Sequence, residues 1–397
     1  MTVPPRVAIC QPSVILGGRL HVILHMIAVL NELGIVPDVL TARLAFVPDN
    51  LAARYKFSVR ANFRRVWRLR VRGIPEDLRI AGFNWLLRSR GRPYDLLINT
   101  SNSLALLPPS LPVLSYVFYP RSARALSPAA DIHRPEVATP RWSRARLERP
   151  ALRLLYRTVR AWPNHRVVCM TRFTREAVRR HDGVTGDLSV IYPPVDLDDY
   201  ASSATERRPA VVTVGRFTPA KRQLEQLRIA AALPELTFDV VGFVSDRGYF
   251  EECRRYAAQH RLANVRLHPD ASFDRMVELL RTARYFLHTT INEPFGLTAV
   301  QATAAGCLPV VHDSGGQRET VPEAMLRYQR FDDIPVLVRR AEAMERQRLA
   351  DLVHGLQAHA RAEYGVEVFN ARMRSLLQDA LGGKRNHHAS GTALIEG

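Results

Sequence analysis

Short apolar, often β-branched runs alternate along this chain with longer stretches whose apolar residues recur at helical spacing. The first run is Val7–Cys10. A loop carrying Gly17 and Gly18 follows, then helical spacing over residues 20–33, a stop at Gly34 and a second run from Asp38. The runs Arg65–Val71, Tyr94–Asn99, Val113–Phe118, Val167–Met170 and Ser189–Tyr192 read as further strands. So do Ala210–Val214, Phe238–Val241, Val265–Leu267, Tyr285–His288 and Leu308–Val311. Strand and helix periods alternating in this way predict an α/β protein with parallel sheets and helices on both faces. The succession breaks once, between Pro193-Pro194 and about Pro209, where the chain is polar, acid-rich and bounded by prolines. That stretch reads as a domain boundary. The expected organisation is a first domain over residues 1–195 and a second over 196–365. A closing helix over 366–382 follows Gly365, and the polar tail 383–397 is expected to be disordered.

Composition sets outer limits. At 397 residues, 47% hydrophobic and 24% charged, the chain can bury two cores of ordinary size. Its four cysteines, Cys10, Cys169, Cys253 and Cys307, include no C-x-x-C pair. This argues against a disulfide scaffold and fits small buried hydrophobes in a reducing compartment. The opening Met-Thr-Val-Pro-Pro-Arg lacks a secretory n-region and h-region, and no window reaches the ~20 apolar residues of a membrane span. A cytoplasmic protein is expected.

Charge changes the picture more. Residues 1–195 hold 30 Lys+Arg against 12 Asp+Glu, while residues 196–397 hold 26 of each, so the whole net +18 lies in the first half. Only three lysines accompany 53 arginines, a compositional habit that leaves the asymmetry unexplained. An acidic partner explains it, and an anionic membrane surface is the expected kind. Segments 54–73 (with Arg64, Arg65, Arg68 and Arg70) and 141–162 mix arginine with Trp, Tyr, Phe and Leu. That mixture suits a membrane surface; it also suits nucleic acid, or arginine stems covering ordinary core elements.

Chemistry concentrates in residues 291–321. Glu293 follows an apolar run, a helix-like segment comes next, then the run Leu308–Val311 and the turn Ser314-Gly315-Gly316. Upstream, the strand VVTV ends in Gly215-Arg216, with Lys221 five positions on. Two cations past a glycine at a strand end suit a diphosphate, because arginine grips phosphate oxygens in a fork and lysine adds a point charge. Gly17-Gly18, between strand and helix, can turn backbone N–H groups and a helix dipole toward an anion. Gly315 and Gly316 would let backbone amides approach a ligand with no Cβ in the way. Glu293 alone fits the base or nucleophile of a double-displacement glycosidase, a scheme that requires a second carboxylate. Two further signals have structural readings: Asp196-Leu197-Asp198 as a solvated acidic turn in the linker, and His21/His25 as a helix-surface pair with no third metal ligand in spacing.

The segments GRFTPAK, EPFGLTAVQATAAG and SGG, preceded by IYPPVDLDDY, resemble the C-terminal half of a retaining glycosyltransferase of family 4. That family's GT-B fold sets two Rossmann-like domains facing across a cleft. The resemblance extends over nearly the whole chain, since the first half has the family's opening strand, Gly-Gly loop and helix. It implies Arg216 and Lys221 on the diphosphate and Glu293 on the donor sugar. It also implies Gly17, Gly18, Gly215, Phe295, Gly296, Leu297, Ser314, Gly315 and Gly316 around the donor, with the base held by main chain at Leu267 and His268. It implies no metal or cofactor, and a last helix that crosses back to the first domain. The family's E-x7-E pair becomes Glu293 and Gln301 here; glutamine keeps hydrogen-bonding capacity for ribose hydroxyls but loses the charge. SYVFYP resembles a tyrosine-proline segment of cytosol-facing mannosyltransferases that elongate lipid-linked oligosaccharides, with Phe118 where those carry histidine. Its backbone carbonyl is one route by which that loop would still meet the donor. The implied activity is transfer of a hexose, with GDP-mannose or a UDP-sugar as donor, to a glycan or lipid-linked acceptor at the cytosolic membrane face. A GT-B binding scaffold without catalysis and a DNA-modifying transferase are the alternatives.

Overall fold

The computed structural model describes residues 4–14, 17–44, 58–66, 76–90, 93–126, 151–152, 154–157, 159, 163–186, 188–202 and 206–389. Two compact units emerge from its contacts. One takes in the described residues up to Pro194 and the C-terminal segment from Glu367; the other takes in those of Val195–Val366.

In the first unit the chain runs β1 (Val7–Cys10), β2 (Ser13–Val14), α1 (Gly18–Glu32), β3 (Asp38–Thr41), β4 (Arg43–Leu44), β5 (Asn62–Arg65) and α2 (Glu76–Arg90). It continues through β6 (Leu96–Asn99), β7 (Val113–Val117), α3 (Arg121–Leu126), β8 (His165–Cys169), α4 (Arg172–Asp182) and β9 (Leu188–Val190). Seven strands form one sheet in the order β5-β3-β1-β6-β7-β8-β9, with β2 and β4 paired separately. Every pairing is parallel. Strands β1, β3, β6 and β7 are buried along their whole length, as expected where helices cover both faces of a parallel sheet. β5, Asn62–Arg65, pairs with Asp38–Thr41 of β3, with Thr41 opposite Arg65. Of the strand expected over Arg65–Val71, residues 67–71 lie outside the described residues. Arg68, Arg70 and most of segment 141–162 lie outside the described residues.

The second unit runs β10 (Arg208–Val214), α5 (Gln223–Ala232), β11 (Thr237–Gly242), α6 (Arg247–Gln259), β12 (Val265–Pro269), α7 (Phe273–Thr282), β13 (Ala283–His288) and α8 (Leu297–Ala304). Then come β14 (Leu308–His312), α9 (Gln317–Thr320), β15 (Arg327–Tyr328), α10 (Asp333–Glu342) and α11 (Arg346–Tyr364). Its strands order as β12-β11-β10-β13-β14-β15. The chain builds outward from β10 to β12, then returns to place β13 on the other side of β10. In such sheets ligands bind at that reversal, outside the carboxyl ends of the strands.

The last helix, α12 (Val366–Ala389), buries Phe369, Met373 and Leu377 at a spacing of four, one stripe of a helix. It passes through Gly382 and Gly383 and reaches Ala389, inside the stretch expected to be disordered. Glycine in a helix costs only about 1 kcal/mol, and no proline follows to stop it. His25 is also not at the surface: it is 4% exposed, with its ring edge-on to His21 and Phe369. Burial, and then the neighbouring His21, push its pKa down to about 3. Among the described residues no helix is long and apolar enough to cross a membrane.

Candidate active site

The site is built where β10, β13 and β14 end. Leaving β10, Gly215 donates its N–H to the Val241 carbonyl at 3.0 Å. The two strands approach so closely that a Cβ on Gly242 would lie 1.8 Å from the Gly215 oxygen. A single 3-10 turn, Pro219–Lys221, brings the chain round, and Arg222 takes a left-handed φ of 55° before α5 begins. Gln223 closes this loop by donating to the Arg216 carbonyl at 2.9 Å. A polar relay through the interior fixes Lys221. Thr213 Oγ1 donates to Gln226 Oε1 (3.0 Å), Gln226 Nε2 donates to Thr289 Oγ1 (2.8 Å), and Thr289 Oγ1 donates to the Lys221 carbonyl (2.8 Å). These buried groups are satisfied only in one arrangement, which makes the relay a clamp between β10 and β13. Arg216 stays exposed and makes no ion pair among the described residues.

Glu293 sits on the loop after β13, and the loop after β14 holds it there. Asn292 N–H donates to Ser314 Oγ (2.8 Å), which also meets His312 Nδ1 at 2.8 Å, and Gly316 N–H donates to the Glu293 carbonyl (2.8 Å). Both glycines are sterically required. A Cβ on Gly315, at φ 67°, would stand 2.4 Å from the Glu293 oxygen, and one on Gly316 would stand 2.0 Å from the Pro294 oxygen. The sequence reading left their amides to a ligand. The structure gives the Gly316 amide to Glu293 and uses the missing side chains to seat the acidic loop.

Lys221 Nζ lies 2.7 Å from Glu293 Oε2. His288 Nε2 stands 3.8 Å from the same oxygen, and its Nδ1 meets Gln317 Nε2 at 2.5 Å. Burial is the main reason the His288 pKa falls to about 3; Lys221 lowers it further and Glu293 opposes the shift. The imidazole is therefore neutral at working pH. The result is an arrangement of one carboxylate, one ammonium and one neutral imidazole, with the guanidinium of Arg216 on the same loop as the lysine.

The other expected residues divide into groups. Gln301 is half-buried on α8, eight positions after Glu293, and its side chain makes no hydrogen bond among the described residues. Gly296, at φ 90°, caps α8, and Leu297 opens it. Phe295 is 3% exposed and packs edge-on to Tyr364. His268 ties its ring to the fully buried Asp239 at 2.7 Å, and Leu267 packs on the Phe217 core. What these two leave at the surface is the main chain of β12, an edge strand of this sheet. In the first unit Gly17, at φ 142°, precedes α1, which Gly18 begins; both are exposed. The Phe118 carbonyl, a candidate contact in the sequence reading, already accepts from Thr174 Oγ1 (3.0 Å), and its N–H donates to Asn102 Oδ1 (2.8 Å). Asp198 is an exposed acid paired with Arg361 at 3.0 Å. Sequence reasoning missed His288, Gln317, Thr289 and Gln226. Their only signal was polar residues set among apolar ones at strand and helix ends.

Residues 197–327 match the family model described as glycosyl transferases group 1. A GDP-Man:Man(3)GlcNAc(2)-PP-Dol alpha-1,2-mannosyltransferase of Dictyostelium discoideum is 29% identical over 155 residues, 34% of this chain and 31% of the relative. The enzyme of that name from Yarrowia lipolytica is 31% identical over 156 residues, 33% and 24% of the two chains. A D-inositol 3-phosphate glycosyltransferase of Mycobacterium sp. (strain KMS) is 30% identical over 154 residues, 36% and 35% of the two. The match thus spans about a third or less of each of these relatives. Among solved structures, sucrose-phosphate synthase of Thermosynechococcus elongatus aligns over 96% of this chain and 100% of its own, with TM-score 0.70 and 15% identity. Anabaena Alr3699/HepE in complex with UDP and glucose aligns over 94% and 100%, with TM-score 0.67 and 16% identity. The chain has the GT-B fold of two Rossmann-like domains.

Proposed function

We propose that this protein is a retaining glycosyltransferase. It moves a hexose, mannose from GDP-mannose in the first instance, to a glycan or lipid-linked acceptor. The observation that carries this reading is the meeting of Lys221 and Glu293 at the reversal point of the second sheet, with Arg216 on the same loop. Breaking the bond from the anomeric carbon to the diphosphate sends an electron pair to a phosphate oxygen. Negative charge grows there in the transition state, and Arg216 and Lys221 stabilise it selectively. Glu293 accepts a hydrogen bond from a hydroxyl of the donor sugar. The acceptor oxygen bonds to the anomeric carbon on the face the diphosphate leaves, and its proton goes to the departing phosphate. Gln301 bonds the ribose hydroxyls. This assignment needs one carboxylate, in keeping with Gln301 at the family's second acidic position. Mannose is supported by the names of the Dictyostelium and Yarrowia relatives.

The acceptor would be reached at an anionic, cytosol-facing membrane surface, a reading supported by the charge excess of residues 1–195. Hydrolysis and transfer assays with a panel of GDP-, UDP- and ADP-sugars test the activity. Turnover of one donor that disappears in Lys221→Ala is the expected result; no turnover or binding of any donor would overturn the reading. Sedimentation with anionic and neutral vesicles tests the membrane part, with salt-sensitive binding to the anionic ones expected.

A further inference from the structure

Phe243 is 64% exposed, among the most exposed large apolar side chains of the second unit, and no part of the core accounts for it. It follows β11 directly. Two hydrogen bonds zip that exit to the exit of β10: Gly215 N–H to the Val241 carbonyl (3.0 Å) and Phe217 N–H to the Phe243 carbonyl (2.9 Å). The parallel register runs from Val214 opposite Val241 to Phe217 opposite Val244, so Arg216 stands opposite Phe243. Phe217 is buried, with Val244 packed against its cluster. Side chains alternate along a strand, so the preceding pair faces the other way. Arg216 and Phe243 are both exposed there, a cation and an aromatic residue at paired positions of adjacent strands.

The order of strands along the sheet's carboxyl edge sets out what lies where. Glu293 marks β13, Arg216 and Lys221 mark β10, Phe243 marks β11, and the main chain of Leu267 and His268 marks β12. A donor with its sugar at Glu293 and its diphosphate at the two cations extends along this edge. Adjacent strands are about 4.8 Å apart, so its base arrives one to two strands, roughly 5–10 Å, beyond the cations. We infer that Phe243 is the stacking wall for the nucleobase of the donor, and so a further donor-binding residue of this site. An exposed ring offers its face to a base without distinguishing one base from another by hydrogen bonds. The edge strand β12 would then read the base edge. This inference rests on the nucleotide-sugar reading above.

Calorimetry on the full chain with GDP, UDP, ADP and inorganic pyrophosphate tests it. Phe243→Ala is expected to weaken the best-binding nucleoside diphosphate by on the order of 5- to 150-fold. Pyrophosphate affinity should change less than about twofold, Phe243→Trp should hold or improve nucleotide affinity, and the melting temperature should stay put because the ring is exposed. Unchanged nucleotide binding in Phe243→Ala overturns the assignment and leaves the donor reading standing. So does an equal loss for pyrophosphate, which would mark a role in shaping the Arg216 loop. If the unmodified chain binds none of the three nucleotides, the donor reading falls and takes this one with it.

Discussion

Lys221 and Glu293, 72 residues apart in sequence, meet at 2.7 Å across the exits of β10 and β13. These are the two strands between which the second sheet reverses its build order. The topology itself creates an open position there, and the ion pair occupies it. Each charge keeps the other in place, and Thr289 and Gly316 hold the two backbones that carry them.

Removing the lysine should separate chemistry from stability. Lys221→Ala is expected to lower turnover by ~10²–10³-fold, the effect of deleting a group aimed at developing charge. A partly exposed ion pair contributes at most about 1 kcal/mol, so thermal unfolding should shift by only a few degrees. Wild-type-like initial rates would remove Lys221 from the leaving-group role.

Arg216→Ala should be cleaner still. Its side chain is exposed and unpaired among the described residues, so no stability loss is expected, while kcat/KM should fall by about tenfold or more. Arg216→Lys should recover only part of this, since lysine cannot grip a phosphate in a fork.

Gly315→Ala and Gly316→Ala test the seat of the acidic loop. A Cβ at either place meets backbone oxygens of Glu293 or Pro294 rather than a movable side chain. Both variants should lose about 1–3 kcal/mol in chemical denaturation and lose activity with it. A fully stable Gly316→Ala would mean that the two loops are not locked together.

Gln301→Glu should leave the fold intact and keep or raise donor affinity, because a carboxylate forms charge-assisted bonds to ribose hydroxyls. Abolished nucleotide binding would show that Gln301 has a different partner.

The buried His288 gives a pH signature. Its folded pKa of about 3 lies below the usual 6.5, so the unfolded chain takes up a proton that the folded one refuses. The stability linked to this group is present above pH 6.5 and is lost as pH falls toward 3. From pH 7 to pH 5 the loss amounts to about 2 kcal/mol. Denaturation midpoints of wild type and His288→Asn should therefore converge over that interval, and a constant gap would show that His288 titrates alike in the folded and unfolded chains.

The alternation of apolar runs and helical spacing was enough to predict parallel α/β units, because burial on both faces makes such strands continuously apolar. The positions of Arg216, Lys221 and Glu293 in loops after strands were legible for a related reason: charged groups there follow an apolar run directly. The partner of β5 was not legible: that Asn62–Arg65 lies beside Asp38–Thr41 depends on strand order, not on either local pattern. Nor was the end of α12, since two glycines mark a stop only when neighbouring structure or a proline enforces it.

The sequence by itself determined the periodicities, the charge asymmetry and the residue types available for a phosphate and a sugar. Only the tertiary structure decided which of them meet. Lys221 reaches Glu293, Gly315 and Gly316 serve the backbone of the acidic loop, and His288 with Gln317 joins the site from a buried strand end. Local patterns record what each segment will bury or expose. Contacts between segments 72 residues apart depend on strand order and register, which many local patterns share and only the packed sheet fixes.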